Sequence, residues 1–82
     1  MRHLLEELSN AHGPSGFEGP IRSILRHHLQ PLVDGFETDG VGSLIGHVRG
    51  SSDSPRVMLA AHMDELGLMV RYVTPEGYVK FQ

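Results

Sequence analysis

The sequence predicts an α/β fold in which two helices pack on a β-sheet, and three observations predict this class. Apolar residues recur at helical spacing in two stretches of the first part of the chain. Short segments of alternating polarity, bounded by glycines, follow them and are typical of strands. Between these segments, residues 57–61 form an uninterrupted apolar run, which suits a strand covered on both faces.

The first helix is predicted over about residues 1–12. Apolar residues recur there at intervals of three and four, while acidic residues occupy the other side. A glycine and a proline, Gly13 and Pro14, end the pattern. The apolar positions are Leu4, Leu5, Leu8 and Ala11.

The second helix is predicted over residues 20–29, and its start has two interpretations. Ser15 and Glu18 have the spacing of a capping box. Pro20 instead favours the first turn of a helix, which makes Glu18 or Gly19 the cap. The residues expected to face inward are Ile21, Ile24, Leu25 and either Leu29 or His28, with Arg22, Arg26 and His27 outside.

The remainder of the chain is predicted to be mostly β. Glycines at 40–42 and 77 mark turns, and a polar loop rich in serine occupies residues 49–55. The expected strands are 36–39 with its hairpin partner 43–48, the covered strand 57–61, and 66–73 with its return strand 78–82.

Composition excludes several classes of function. The 82 residues allow one small domain at most, and the net charge of −3 offers no basic footprint for nucleic acid. No cysteine is present, so a metal would have to use histidine and carboxylate ligands. The N-terminus is charged too early for a secretory leader, and no apolar run has the length to span a membrane. We therefore expect a cytoplasmic protein without membrane or nucleic-acid partners.

A histidine and a carboxylate follow the apolar run at residues 57–61. Side chains in a strand repeat every two residues, so His62 and Asp64 are expected to point the same way. A carboxylate in that position can accept one imidazole N–H while the other ring nitrogen faces a metal ion. Sites in α/β sheets lie outside the carboxyl ends of strands, where this pair falls. The sequence therefore predicts a metal-ligating histidine with a supporting aspartate.

The chain resembles the N-terminal portion of the M42 metallo-aminopeptidases, the tetrahedral or TET-type enzymes. The segment after the apolar run is the most specific part, because related carboxypeptidases and deacetylases also use His-x-Asp but follow it with a different sequence. Ser43 departs from the asparagine that members commonly have in the hairpin. The matching stretches are Pro-Ser-Gly-Phe-Glu at 14–18, Ile-Arg at 21–22, Asp-Gly-Val-Gly-Ser-Leu at 39–44 and Ala-Ala-His-Met-Asp-Glu-Leu-Gly-Leu-Met-Val at 60–70.

The resemblance implies a two-metal peptidase that removes N-terminal residues from short peptides. It makes His62 a ligand of one ion and Asp64 the aspartate that orients this histidine and is often named as catalytic. Glu65 receives no chemical role. The two divalent ions are expected to be zinc or cobalt, with the other ligands and the general base beyond Gln82. The chain by itself is then expected to be inactive.

The resemblance also implies an architecture. Residues 1–67 are expected to be the first piece of a three-layer α/β/α catalytic domain of the zinc-peptidase type. Residues 68–82 would open an inserted β-rich dimerisation domain, and members assemble as homo-oligomers, from dimers to dodecamers. The chain stops inside a predicted strand, so we expect it to be the front part of a longer protein.

Two other functions stay open at this stage. A deacylase or carboxypeptidase could use the same metal scaffold, and only the substrate pocket would distinguish it. A non-catalytic product could self-associate through exposed strands. A glycosidase, a label that some members carry, finds no support, because no acid/base carboxylate pair with a sugar platform is evident.

Overall fold

The computed structural model describes residues 1–82, and its helices and strands follow the predicted order. Two helices come first, and two separate antiparallel hairpins follow, so the predicted α/β content is confirmed, while the strands form two small sheets. The elements are α1 (Arg2–Asn10), α2 (Gly19–Leu29), β1 (Gly35–Thr38), β2 (Leu44–His47), β3 (Val70–Val73) and β4 (Val79–Phe81).

The two helices form where the apolar spacing placed them. In α2 the inward positions are confirmed, with Ile21 buried and both Leu29 and His28 half-buried. Glu18 is the residue before the first turn, but its side chain makes no cap; its Oε1 accepts the N–H of Gly16 at 2.8 Å instead. Neither helix has the length and apolar character needed to cross a membrane.

Polar contacts connect the helices to each other and to the first hairpin. His28 Nε2 lies 2.8 Å from Glu7 Oε2 and so links α2 to α1. Arg22, predicted to point outward, is half-buried and donates from Nε to the carbonyl of Gly42 at 2.8 Å. This bond fixes the β1–β2 turn against α2, because a guanidinium donor to a carbonyl is a strong, directional hydrogen bond.

The β1–β2 hairpin is built around a turn that Asp39 organises. Phe36 pairs with Gly46 in an antiparallel register. Asp39 Oδ1 accepts the N–H groups of Val41 and Ser43 at 3.1 and 2.9 Å. The Ser43 hydrogen bond, aided by those from the turn, holds the pKa of Asp39 below its ordinary value because it favours the ionised carboxylate.

The β3–β4 hairpin is a second, separate unit. Its turn uses Gly77 at φ 90° and a hydrogen bond from the N–H of Tyr78 to Thr74 Oγ1 at 3.0 Å. Paired main-chain bonds between Met69 and Gln82 extend the ladder by one step. The hairpin packs on none of the other helices or strands.

The predicted strand at residues 57–61 is wrong, as is the predicted strand from residue 66 to 69. Residues 56–69, called here the connecting segment, have no regular secondary structure apart from one isolated bridge at Glu65. Val57, Met58 and Leu59 are 82%, 87% and 94% exposed. The apolar run has strand propensity, but a strand also needs a hydrogen-bonded neighbour, and the structure provides none beside it.

The interior of the molecule is small. Gly13 and Ile21 are the two buried residues, and they lie against each other between the helices. The total exposed area is 7421 Å², whereas a compact protein of this mass exposes about 4,900 Å². Much apolar surface is therefore left uncovered, chiefly on the connecting segment and the β3–β4 hairpin.

Candidate functional site

The structure brings His62 and Asp64 together. His62 Nδ1 lies 3.1 Å from Asp64 Oδ1 and 3.0 Å from the Asp64 backbone oxygen. A carboxylate and a carbonyl oxygen accept hydrogen bonds, so in the neutral ring Nδ1 is the donor and Nε2 carries the lone pair. This tautomer is the one that a histidine binding a metal through Nε2 needs.

The two side chains differ in exposure in a way that suits this arrangement. The His62 ring is 85% exposed, while the Asp64 side chain is 40% exposed. All hydrogen bonds that His62 makes through its ring use Nδ1. The ring is thus held from one edge by the protein and is open to a ligand at the other.

An apolar cavity of about 300 Å³ lies beside the histidine. Side chains of α1, α2 and β2 line one part of it, and Ala61, His62 and Met63 line the other. The connecting segment therefore crosses the open face of the helix pair at the position where it carries the histidine.

One backbone contact fixes the connecting segment to the helical part of the chain. The N–H of Glu65 donates to the carbonyl of Gly13 at 2.9 Å, and Pro14 and Glu65 form a parallel bridge. The loop between the helices therefore lies next to the residues that follow the His62–Asp64 pair. Sequence reasoning missed this role of Gly13 and Pro14, because no local pattern joins positions so far apart in the chain.

The other histidines with charged partners lie elsewhere. His28 contacts Glu7 between the helices, and His47 Nε2 lies 3.5 Å from Glu37 Oε2 across the first hairpin. Both pairs are exposed or half-exposed, and surface ion pairs of this kind need no catalytic or metal-binding role to account for them. Nowhere do three or more histidine or carboxylate side chains converge in a geometry that could hold a metal ion.

The side chains of His62 and Asp64 nevertheless suit one part of a metal site. A neutral imidazole nitrogen is a good ligand for zinc, cobalt and similar ions. His62 provides this nitrogen, and Asp64 is the carboxylate that typically accepts the second ring N–H in such sites. The residues present could thus contribute one metal ligand and the carboxylate that orients it.

Solved structures share this fold. The TET aminopeptidase of a marine-sediment archaeon of the Thaumarchaeota matches 99% of this chain with a TM-score of 0.89 and 36% identity, over 23% of its own chain. An endoglucanase of Thermotoga maritima matches 95% with a TM-score of 0.85 and 40% identity, over 25% of its own chain. The fold is therefore that of one part of these larger enzymes, among them an aminopeptidase.

Sequence comparison identifies the family. The lysyl aminopeptidase of Pyrococcus furiosus is 37% identical over 78 residues, which is 94% of this chain and 22% of that protein. Residues 42–82 match the family described as M42 glutamyl aminopeptidase. The chain belongs to the M42 peptidase family, as its resemblance predicted, and spans a quarter or less of the length of these relatives.

Proposed function

We propose that this chain supplies the first metal-ligating histidine, His62, and its orienting aspartate, Asp64, to a two-metal aminopeptidase acting on short peptides in the cytoplasm. The observation that carries the proposal is the 3.1 Å contact between Asp64 Oδ1 and His62 Nδ1 beneath an exposed ring. Family membership supports the peptidase class, and the relative named lysyl aminopeptidase supports cleavage at the N-terminus.

Each residue has a distinct task in this proposal. Asp64 accepts the Nδ1 proton and so keeps the Nε2 lone pair of His62 directed away from the chain. A pair of zinc or cobalt ions, when bound, supplies a water acidified to a pKa of about 7 and polarises the scissile carbonyl. A catalytic zinc needs about three protein ligands, and His62 is one. The other ligands and the general base are assigned to parts of the enzyme outside these 82 residues.

The proposal also assigns two unequal parts of the chain to different domains. Residues 1–67 belong to the catalytic domain, whose further strands would cover the exposed run at 57–61. Residues 68–82 open a β-rich domain that serves dimer-based homo-oligomerisation. The separation of the β3–β4 hairpin from the other elements and its exposed apolar residues support this division.

A chimeric enzyme tests the proposal. The 82 residues replace the matching segment of the P. furiosus lysyl aminopeptidase, to which 78 of them align. In an active chimera, His62→Ala should abolish hydrolysis of amino-acid p-nitroanilides and lower the zinc or cobalt content by about one ion per subunit. Asp64→Asn should lower metal affinity or activity about 10–100-fold, the range found for the supporting groups of metal ligands.

His47→Ala is the matched control, because His47 is also an exposed histidine with a carboxylate partner but lies in β2. It should keep activity and metal content. Full metal content after His62→Ala would contradict the proposed ligand role. The 82-residue chain alone, supplied with zinc or cobalt, should give no turnover, and measurable turnover would contradict the assignment of the remaining machinery to other residues.

A further inference from the structure

We propose that the loop residues Gly13 and Pro14, together with Gly67, form a clamp that positions the His62–Asp64 pair. These are positioning residues, because they act on the pair through the backbone that follows it. The inference deepens the function proposed above and depends on it for its catalytic meaning. The geometry of the clamp itself is independent of any metal.

The clamp begins at the most buried point of the molecule. Gly13 and Ile21 are the two buried residues, and a Cβ at Gly13 would collide with Cγ1 of Ile21. Gly13 therefore lies directly on helix α2, and only a residue without a side chain fits there. From this position its carbonyl accepts the N–H of Glu65 at 2.9 Å.

A second contact lies two residues further along. A Cβ built on Gly67 would lie 2.6 Å from Cβ and 3.4 Å from Cγ of Pro14. Real Cβ atoms do not approach this closely, so the backbone at Gly67 packs on the proline ring at a distance that only glycine permits. The bridge between Pro14 and Glu65 lies between these two contacts.

These contacts matter because the rest of this part of the chain has little to hold it. Between residues 50 and 68, the bond from Glu65 to Gly13 is the one hydrogen bond between main-chain groups. Val57, Met58 and Leu59 are more than 80% exposed. Asp64, which orients the His62 ring, immediately precedes the clamped residue. Releasing the clamp should therefore release the carboxylate from the imidazole.

The test reads the His62 ring directly in the 82-residue chain, without metal. Ring ¹⁵N chemical shifts distinguish a protonated from an unprotonated nitrogen, and they are measured at a pH about two units above the ordinary imidazole pKa of about 6.5. The unaltered chain should show a proton on Nδ1, as the contact with Asp64 requires. Gly67→Ala should shift the ring to the mixture of tautomers that free histidine shows, while the Ile21 methyl signals and helical circular dichroism report that α1 and α2 persist.

Paired substitutions at Pro14 make the test specific. Pro14→Gly removes the Cβ and Cγ that an alanine at 67 would meet, so the double variant Pro14→Gly/Gly67→Ala should recover the Nδ1–H signature. Pro14→Ala keeps the Cβ, so Pro14→Ala/Gly67→Ala should not recover it. Gly35→Ala is the control, because a Cβ there meets nothing within 4 Å and should leave the ring unchanged.

Three results of the ring measurements would overturn the clamp. They are an Nε2–H ring in the unaltered chain, an Nδ1–H ring that survives in Gly67→Ala, and equal recovery by the two Pro14 variants. Loss of the helices in Gly67→Ala without recovery in Pro14→Gly/Gly67→Ala would also overturn it. A working clamp with no metal loss after His62→Ala in the chimera would instead reject the proposed metal site and leave the clamp standing.

Discussion

The two hairpins of this chain have similar turns but different surroundings. Each has a glycine at φ 90° and a side-chain oxygen that accepts backbone N–H groups, from Asp39 in β1–β2 and from Thr74 in β3–β4. The first hairpin is bonded to α2 through Arg22, whereas the second packs on no other element. Turn chemistry therefore forms both hairpins, and packing on the helices distinguishes them.

The difference has an energetic consequence. An isolated two-stranded hairpin is marginally stable in water, because ordering the backbone offsets what few strand pairs contribute. The β1–β2 hairpin gains burial and the Arg22 bond from its contact with α2. We therefore expect the first hairpin to unfold together with the helices and the second to unfold by itself. Three predictions test this comparison.

The largest effect is expected from Ile21→Ala. Ile21 is 5% exposed and is the one buried apolar side chain, so truncating it should cost about 2–5 kcal/mol of the free energy of unfolding. In a molecule with so small an interior, this should remove much of the helical circular dichroism and the β1–β2 signals together. The β3–β4 amide signals should stay unchanged in the same NMR spectra.

Val57→Ala is the control for this substitution, because Val57 is 82% exposed and surface changes cost less than about 0.5 kcal/mol. Equal losses from the two variants would show that residues 56–69 are covered in solution. Loss of the β3–β4 signals in Ile21→Ala would show that the two hairpins unfold together and would contradict the independence of the second hairpin.

Much of this arrangement follows from local sequence patterns. The helices lie within a few residues of their predicted bounds, and both hairpins form at the predicted turns, because helix periodicity and turn glycines act over short distances. The contact between His62 and Asp64 also follows from a spacing of two residues. Their roles in metal binding and catalysis stay predictions.

What could not be predicted depends on partners distant in the chain. The apolar residues at 57–61 have the pattern of a covered strand, but the pattern does not supply the neighbours that would cover it. The bridge of Pro14 to Glu65 has no local signal either. Gly67 offers only a general signal, because a glycine inside a stretch with a strand pattern can mark a place where another part of the backbone approaches closely.

An intermediate effect is expected from alanine at the two turn glycines. A residue with a Cβ at φ near 90° costs roughly 1–2 kcal/mol of conformational strain, so Gly42→Ala and Gly77→Ala share this term. A Cβ at Gly42 would also lie 2.7 Å from an Arg22 guanidinium nitrogen, whereas one at Gly77 meets nothing within 4 Å. Gly42→Ala should therefore also displace the Arg22 guanidinium and weaken its hydrogen bond to the turn.

Urea unfolding followed by circular dichroism measures the first variant, and the population of paired β3–β4 amides measures the second. We expect Gly42→Ala to lower the unfolding midpoint of the helices, and Gly77→Ala to leave it unchanged while reducing pairing in its own hairpin. A shift of the helical midpoint by Gly77→Ala, or none by Gly42→Ala, would contradict the assignment of the Arg22 bond to the first hairpin alone.

The smallest effect is expected from acid, which should weaken only the turn that contains a titratable side chain. The bond from the Ser43 N–H holds the pKa of Asp39 below its ordinary value, whereas Thr74 has no charge to lose. The pKa of Asp39 is lower in the folded than in the unfolded chain. The ionised Asp39 carboxylate therefore stabilises the fold above the unfolded value of about 3.9, and this stabilisation is lost as pH falls through the folded value.

Amide exchange at Val41 and Ser43, compared with exchange at Tyr78, should therefore show weakening of the first turn alone below about pH 4. Asp39→Asn keeps an acceptor oxygen but does not titrate, so it should preserve the turn and remove the increase in amide exchange at low pH. If that increase persists in this variant, another group causes it, and the two turns do not differ in their response to acid.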